Sequence, residues 1–321
     1  MSSTIGATIE ISLQALAAGV LTGCIYGLMC VGLGLIFGVM RVINFAQGDF
    51  LMLGMYFTLY TVTGLGIFTF LGPVAGPYAG AILAGPALFV GAYLLHRLLM
   101  RRLTGTRALG GEGDGHYGQL IFTLGVALVL ENGALILFGS TPEAVRTPLA
   151  SRAWEIPLLY DETSALFLNK ASVVAAILSL VIAAALYLVV NRTWLGQTLR
   201  AAADNPIAAT YMGIDVDRAH RLAFGIGAGI TAIAGGLVAT YHPFQPYVGF
   251  EFVIIMYAGV VMGGMGSILG AFWGGMTIGL VQQLSTLVVP LQLQNAAIFV
   301  VFLLVVLLRP QGLFGRATER V

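Results

Sequence analysis

Apolar runs of about twenty residues, parted by short polar stretches, repeat along this chain from end to end. Runs of that length predict membrane-crossing helices, because ~20 residues at helical rise match a hydrocarbon core of ~30 Å. The first run, Ile11 to Met40, would be about 45 Å long as one straight helix, so it is either steeply tilted or broken near Gly32 to Gly38. Further spans are predicted over 50–70, 78–96, 120–138, 171–190, 222–241, 271–289 and 296–308, while 252–265 is too short for an ordinary span. The expectation is an all-α, polytopic membrane protein, one domain over 1–321. Eight spans fit, and ten are possible if the long first run and the Gly-rich segment are split.

Two interruptions break this pattern, Met40 to Gly54 (MRVINFAQGDFLMLG) and Met262 to Gly275 (MGGMGSILGAFWGG). Paired Gly-broken segments in two halves point to two pseudo-repeated halves and a transport site near the midplane, since irregular backbone survives in lipid only where it is buried or lines a cavity. Asn44 and Gln47 are the candidate polar groups of such a path, with Gly263, Gly264, Gly266 and Ser267 opposite. Glu131, inside the predicted span 120–138, joins them as an intramembrane acid. An equal reading of these residues is that they cap helix ends, and Glu131 reads as well as a buried acid bonded to Asn132 or a neighbouring helix.

Positive charge orients the spans. Arg97, Arg101, Arg102 and Arg107 form the densest basic cluster and go inside, followed by a flexible inner loop over Gly110 to Gly118. The loop 140–170 carries Glu143, Glu155, Asp161 and Glu162 against three basic residues and goes outside. The C-terminus, with Arg309, Arg316 and Arg320, is inside, and the N-terminus outside.

That orientation puts the most polar internal stretch, Arg192 to Arg221, in the cytoplasm. It reads as two short helices joined by a capped turn. Asp204-Asn205-Pro206 offers a side-chain N-cap followed by proline at the first helical position, and Gly213 follows Ala208 to Met212 where a left-handed residue is usual. Arg200 and Asp204, four apart, share a face. A built helix pair on the wet side of a membrane protein is a part that another protein grips.

Composition agrees with the pattern: 58% of residues are hydrophobic and 9% charged, with mean hydropathy +0.93, far from a soluble balance of about 25% charged. A net charge of +1 gives no reason to expect nucleic acid as a partner. Cys24 and Cys30 lie in the first apolar run and read as small buried residues, with neither disulfide nor metal spacing. Met1 to Glu10 lacks the basic n-region of a signal peptide. The 43 glycines recur at spacings of four, as at Gly23 and Gly27 or Gly259 and Gly263, which predicts close helix packing.

Catalytic chemistry is not predicted. The one lysine, Lys170, follows Asn169, so no phosphate-binding loop exists, and Ser267 is not in a nucleophile elbow. The histidines His96, His116, His220 and His242 sit at or outside predicted span ends and form no metal cluster.

Four pieces in order, Gly34 to Gly54, Leu199 to Asp215, Gly259 to Gly275 and Arg309 to Arg316, resemble the inner-membrane permeases of branched-chain amino acid ABC importers over almost the whole chain. The resemblance implies a bacterial inner-membrane subunit that pairs with a second permease, two cytoplasmic ATPases carrying ATP and Mg2+, and a periplasmic solute-binding protein. This chain itself would bind no cofactor and catalyse nothing. The loop 192–221 would be the coupling segment, with Arg200, Asp204, Asn205, Pro206, Ala208, Met212, Gly213, Ile214 and Asp215 at the ATPase, although it lacks the EAA-then-Gly pattern of the better-known importer class. The implied cargo is an amino acid or similar small polar solute. An ion-coupled carrier and a passive channel are the alternatives; sparse intramembrane charge argues against the first and the capped loop against the second.

Overall fold

The computed structural model describes residues 2–64, 66, 71–100, 114–157 and 165–314. Eleven α-helices follow in order: α1 (Ser2–Met40), α2 (Gln47–Leu59), α3 (Gly72–Leu98), α4 (Asp114–Phe138), α5 (Lys170–Arg192), α6 (Trp194–Asp204), α7 (Pro206–Tyr211), α8 (Val216–Val238), α9 (Val248–Gly263), α10 (Ile268–Ser285) and α11 (Gln294–Leu308). Between α4 and α5, strands β1 (Ala153–Pro157) and β2 (Ala165–Asn169) pair antiparallel, a small hairpin that the helical pattern did not announce. Five helices are long and apolar enough to cross a membrane alone. Helices α9 and α10 make one more unit bent by 120°, and with the shorter α2 and α11 the total agrees with the expected eight. Arg101, Arg102, Arg107, 110–113, Asp161, Glu162, Arg316 and Arg320 lie outside the described residues, while 114–118, expected as the end of a flexible loop, already belong to α4.

Helix α1 is unbroken and forms the centre of the bundle. Its glycines admit close neighbours instead of bending it: Gly32 lies against Thr231 and Gly227 of α8, Gly34 against Ala271 and Gly38 against Gly266. Without side-chain bulk the helix backbones approach closely, which is how helices associate where lipid offers no hydrophobic driving force. The β-hairpin sits at the N-terminal end of α1, where Gln14 exchanges hydrogen bonds with the Phe167 backbone, its Nε2 donating at 2.6 Å and its Oε1 accepting at 3.0 Å. The helix pair α6–α7 sits at the other end of the bundle, beside the end of α1.

Twice the chain leaves the end of a long helix, turns back into the bundle and starts a shorter helix there. Residues 41–46 return from the end of α1 to begin α2, and residues 239–247 return from the end of α8 to begin α9. The two starts meet at Gly48 and Gly249, the second residue of each helix, with backbone against backbone. The structural counterpart of the first interruption is therefore 239–249. The second interruption is a different object, an elbow at Gly264 to Ser267 made by Gly264 (φ 103°) and Gly266 (φ 93°). The segment after α11 closes this elbow, with Leu313 N donating to Met262 O at 2.7 Å and Phe314 N to Gly263 O at 3.2 Å.

Candidate functional site

The first return, Arg41 to Ala46, is held by a polar latch in the bundle interior. The Asn44 amide donates to Gln47 Oε1 at 3.0 Å. Gln47 Nε2 in turn donates to Thr231 Oγ1 at 2.6 Å and to Gly227 O at 3.1 Å, near the middle of α8. Asn44, Gln47 and Thr231 are each 0% exposed. In an apolar interior each unmet polar group is costly, so these bonds fix where α2 begins. Asn44 and Gln47 thus stand inside the protein, bonded to each other and to α8. Their partner Thr231 was not singled out from sequence, because one threonine in a run of Gly, Ala and Ile carries no local signal.

Replacing Gln47 by leucine keeps the volume and removes three hydrogen bonds. The expected loss is about 1–2 kcal/mol, the scale of an interhelical polar contact in a membrane, seen as a lower melting temperature of the purified permease. Because both residues serve one network, adding Thr231→Val should cost less than its effect alone. Additive losses would show that the two side chains act independently.

The polar loop folds as its cap residues dictate. Thr193 Oγ1 accepts from Gly196 N at 3.3 Å and starts α6. Asn205 Oδ1 accepts from Ala208 N at 3.0 Å with Pro206 at the first helical position, so α7 begins one residue after α6 ends. Gly213 takes φ 81°, and Gly213 N and Ile214 N return to Thr210 O and Ala209 O at 3.0 Å each. Asp215 Oδ1 then caps α8 through Arg218 N at 2.9 Å, and its Oδ2 lies 3.8 Å from Arg221 Nη2. The result is a rigid turn with apolar side chains turned outward: Ile207 is 52%, Tyr211 86% and Met212 82% exposed.

Between this turn and the bundle lies a cleft of about 780 Å³. It brings together Arg200 and Asp204 of α6, Gly266 and Ser267 of the elbow, and Arg41 at the end of α1. Arg200 and Asp204 do not pair; Arg200 Nη1 donates to Asn191 Oδ1 at 2.8 Å instead. Ser267 Oγ accepts from Gly270 N at 3.1 Å and caps α10, while Gly263 lies buried against Gly270. Arg41 was not singled out from sequence. It is the described non-glycine residue with positive φ, 54°, a left-handed conformation costing about 1–2 kcal/mol in an L-residue.

Glu131 is remote from this cleft. It lies half-buried on α4, the span with the smallest buried share of its residues, next to an exposed Asn132 whose amide donates to Leu128 O of its own helix at 2.8 Å. Among the described residues no group of His, Cys, Asp and Glu could hold a metal ion. His96 and His220, expected at span ends, are buried there, the His96 ring 5.5 Å from that of Phe224.

Sequence comparison places these features in a family. The High-affinity branched-chain amino acid transport system permease protein LivH of Escherichia coli K12 is 29% identical over 308 residues, covering 95% of this chain and 96% of the relative. The corresponding BraD protein of Pseudomonas aeruginosa is 27% identical over 310 residues, with coverage of 95% and 96%. A probable branched-chain amino acid transport permease of Methanocaldococcus jannaschii is 27% identical over 259 residues, 81% of this chain and 76% of its own. No solved structure matches. The family model described as branched-chain amino acid transport system, permease component, matches residues 15–308, and this multi-pass membrane protein therefore belongs to that family of ABC importer permease subunits.

Proposed function

We propose that the chain forms, with a second permease of its family, the membrane path of an ATP-driven importer for a branched-chain amino acid or a similar small polar solute. The observation that carries this reading is the capped α6–α7 turn, which holds Ile207, Tyr211 and Met212 rigidly outward on the wet end of the bundle. An exposed apolar cluster of this kind marks a protein contact. In the proposed assembly the turn faces the cytoplasm and fits a groove on an ATPase, with Arg200, Asp204 and Asp215 at its edge. ATP and Mg2+ reside on that partner. The β-hairpin and its loop face the periplasm of a bacterial inner membrane, where a solute-binding protein delivers cargo.

The path itself runs along the α4 face, between the two permeases. Asn132 stands exposed in the second half of this span, and lipid offers an amide no further hydrogen-bond partner. Glu131, half-buried beside it, adds a carboxylate. The Asn44–Gln47 latch and the elbow Gly263 to Ser267 lie beneath, holding the returning segments in place. Differential binding of ATP to two conformations of the ATPases then drives the switch between outward and inward access.

Purification of the tagged chain from its native membrane in mild detergent, followed by mass spectrometry, tests the assembly. A Walker-motif ATPase and a second permease are expected, together with ATP-dependent uptake in proteoliposomes. Recovery of the chain alone, with solute transport that needs no ATP, would mean a carrier or channel.

A further inference from the structure

We propose that the Arg41 side chain is the mechanical tie between the α6–α7 turn and the returning segment that begins α2, and so a positioning residue for coupling. The inference rests on the docking of α6–α7 proposed above. Three independent observations meet at this residue.

The first is where the guanidinium goes. Arg41 Nη2 donates to Ala203 O at 3.4 Å, in the last turn of α6. Carbonyls there have no helical partner and carry the negative end of the helix dipole, so a cation is the group suited to hold them. Asn205 follows at once and caps α7, so any force on α7 reaches that carbonyl through one rigid junction.

The second is the backbone. Arg41 turns the chain from the end of α1 back into the bundle with its own φ of 54°. An L-residue holds that conformation when its surroundings fix it. On one side Arg41 N is bonded to Phe37 O at 2.8 Å, and on the other Val42 and Ala46 are buried. Three residues beyond Arg41, Asn44 enters the latch that reaches Gly227 and Thr231 of α8.

The third is the room. The cleft of about 780 Å³ lies between α6 and the end of α1 with the elbow, so these walls are not close-packed against one another there. Arg200, the other arginine lining it, is bonded to Asn191 on its own side. Arg41 crosses from the α1 side to α6. Movement of α6 is thereby passed to residues 41–47, and through them to the meeting point of α2 and α9.

The whole importer, with ATPases, second permease and binding protein, is reconstituted in proteoliposomes, and ATP hydrolysis and solute uptake are measured side by side. Arg41→Gln removes the charge; Arg41→Gly removes the side chain and suits the left-handed backbone, so it remains informative if Arg41→Gln fails to fold. In both, the ATPases stay bound and hydrolysis stays near wild type, while the ATP used per solute moved rises about tenfold, within the usual range of coupling energies. Arg41→Lys, a shorter point donor, should lie between. Wild-type uptake by Arg41→Gly, or loss of uptake in step with loss of bound ATPase, overturns the proposal. The docking reading fails separately, if variants of α7 itself keep both ATPase and uptake while Arg41→Gly behaves as stated.

Discussion

Replacing Gly48 by valine is expected to remove the folded permease from the membrane almost completely. Gly48 is the second residue of α2, and a Cβ there would fall inside the Gly249 carbonyl at the start of α9. Overpacking a core costs about 1–3 kcal/mol when side chains can shift aside. Here the obstacle is backbone, and neither helix is free to retreat. Helix α2 is held to α8 by Gln47 and by close approaches of Gly54 to Ala232 and of Gly235 to Leu51. Helix α9 is held to α1 where Cys30 Sγ donates to Met256 O at 3.7 Å and Gly259 lies against Cys30. Gly48→Ala should show the same defect in weaker form. Gly91→Val on α3, where a Cβ meets open space, is the control and should accumulate like wild type, apart from the helix propensity of valine. Folded protein is measured as the monodisperse fraction after detergent extraction; equal amounts of Gly48→Val and wild type would show that the two returns do not meet as described.

The glycine at this crossing shows where local sequence stops being informative. That glycines at spacings of four mean close helices was legible, and they do pack so, as Gly23 against Gly279 and Gly274 against Gly259. Which glycine faces which was not, because a facing partner is set by tertiary register and leaves no mark nearby in the chain. The same limit explains the pairing of the two returns. Residues 242–251, with His242, Pro243 and Pro246, lie between two predicted apolar segments, and only the fold shows 239–247 dipping inward to place Gly249 on Gly48. Gln47 and Asn44 were visible as polar residues in an apolar setting, but that Gln47 meets Thr231 depends on the placement of α8.

Cap chemistry, by contrast, acts within three or four residues and was read directly. Asn205, Pro206 and Gly213 do what their residue types suggest, while the cap that Asp215 puts on α8 emerged only with the fold. The junction between α6 and α7 followed from them, whereas α8 begins at Val216, six residues before the expected span at 222. The exposed side of that loop was less legible: Arg200 and Asp204 do share a face toward the cleft, but the Asn191 partner of Arg200 could not be read from spacing. The apolar residues of α7, not its charges, turned out to be the most exposed part of the turn.

Those residues carry the second large effect. Tyr211→Asp combined with Met212→Asp should leave the permease folded and abolish ATP-driven uptake. Both side chains are more than four-fifths exposed, so the bundle has little packing to lose. The caps that shape the turn, Asn205 and Gly213, are left unchanged. A central apolar contact in a protein interface is worth about 2 kcal/mol or more, and two buried carboxylates add desolvation cost. Even ~4 kcal/mol together weakens ATPase attachment nearly a thousandfold. The melting temperature of the isolated permease should stay at its wild-type value, while the ATPase is lost on purification and uptake falls to background. Asp204→Asn, at the cleft and without an ion pair, should act far more weakly. If the double variant keeps its ATPase and transports normally, α7 is an ordinary membrane-surface helix, and the drive must enter the bundle elsewhere.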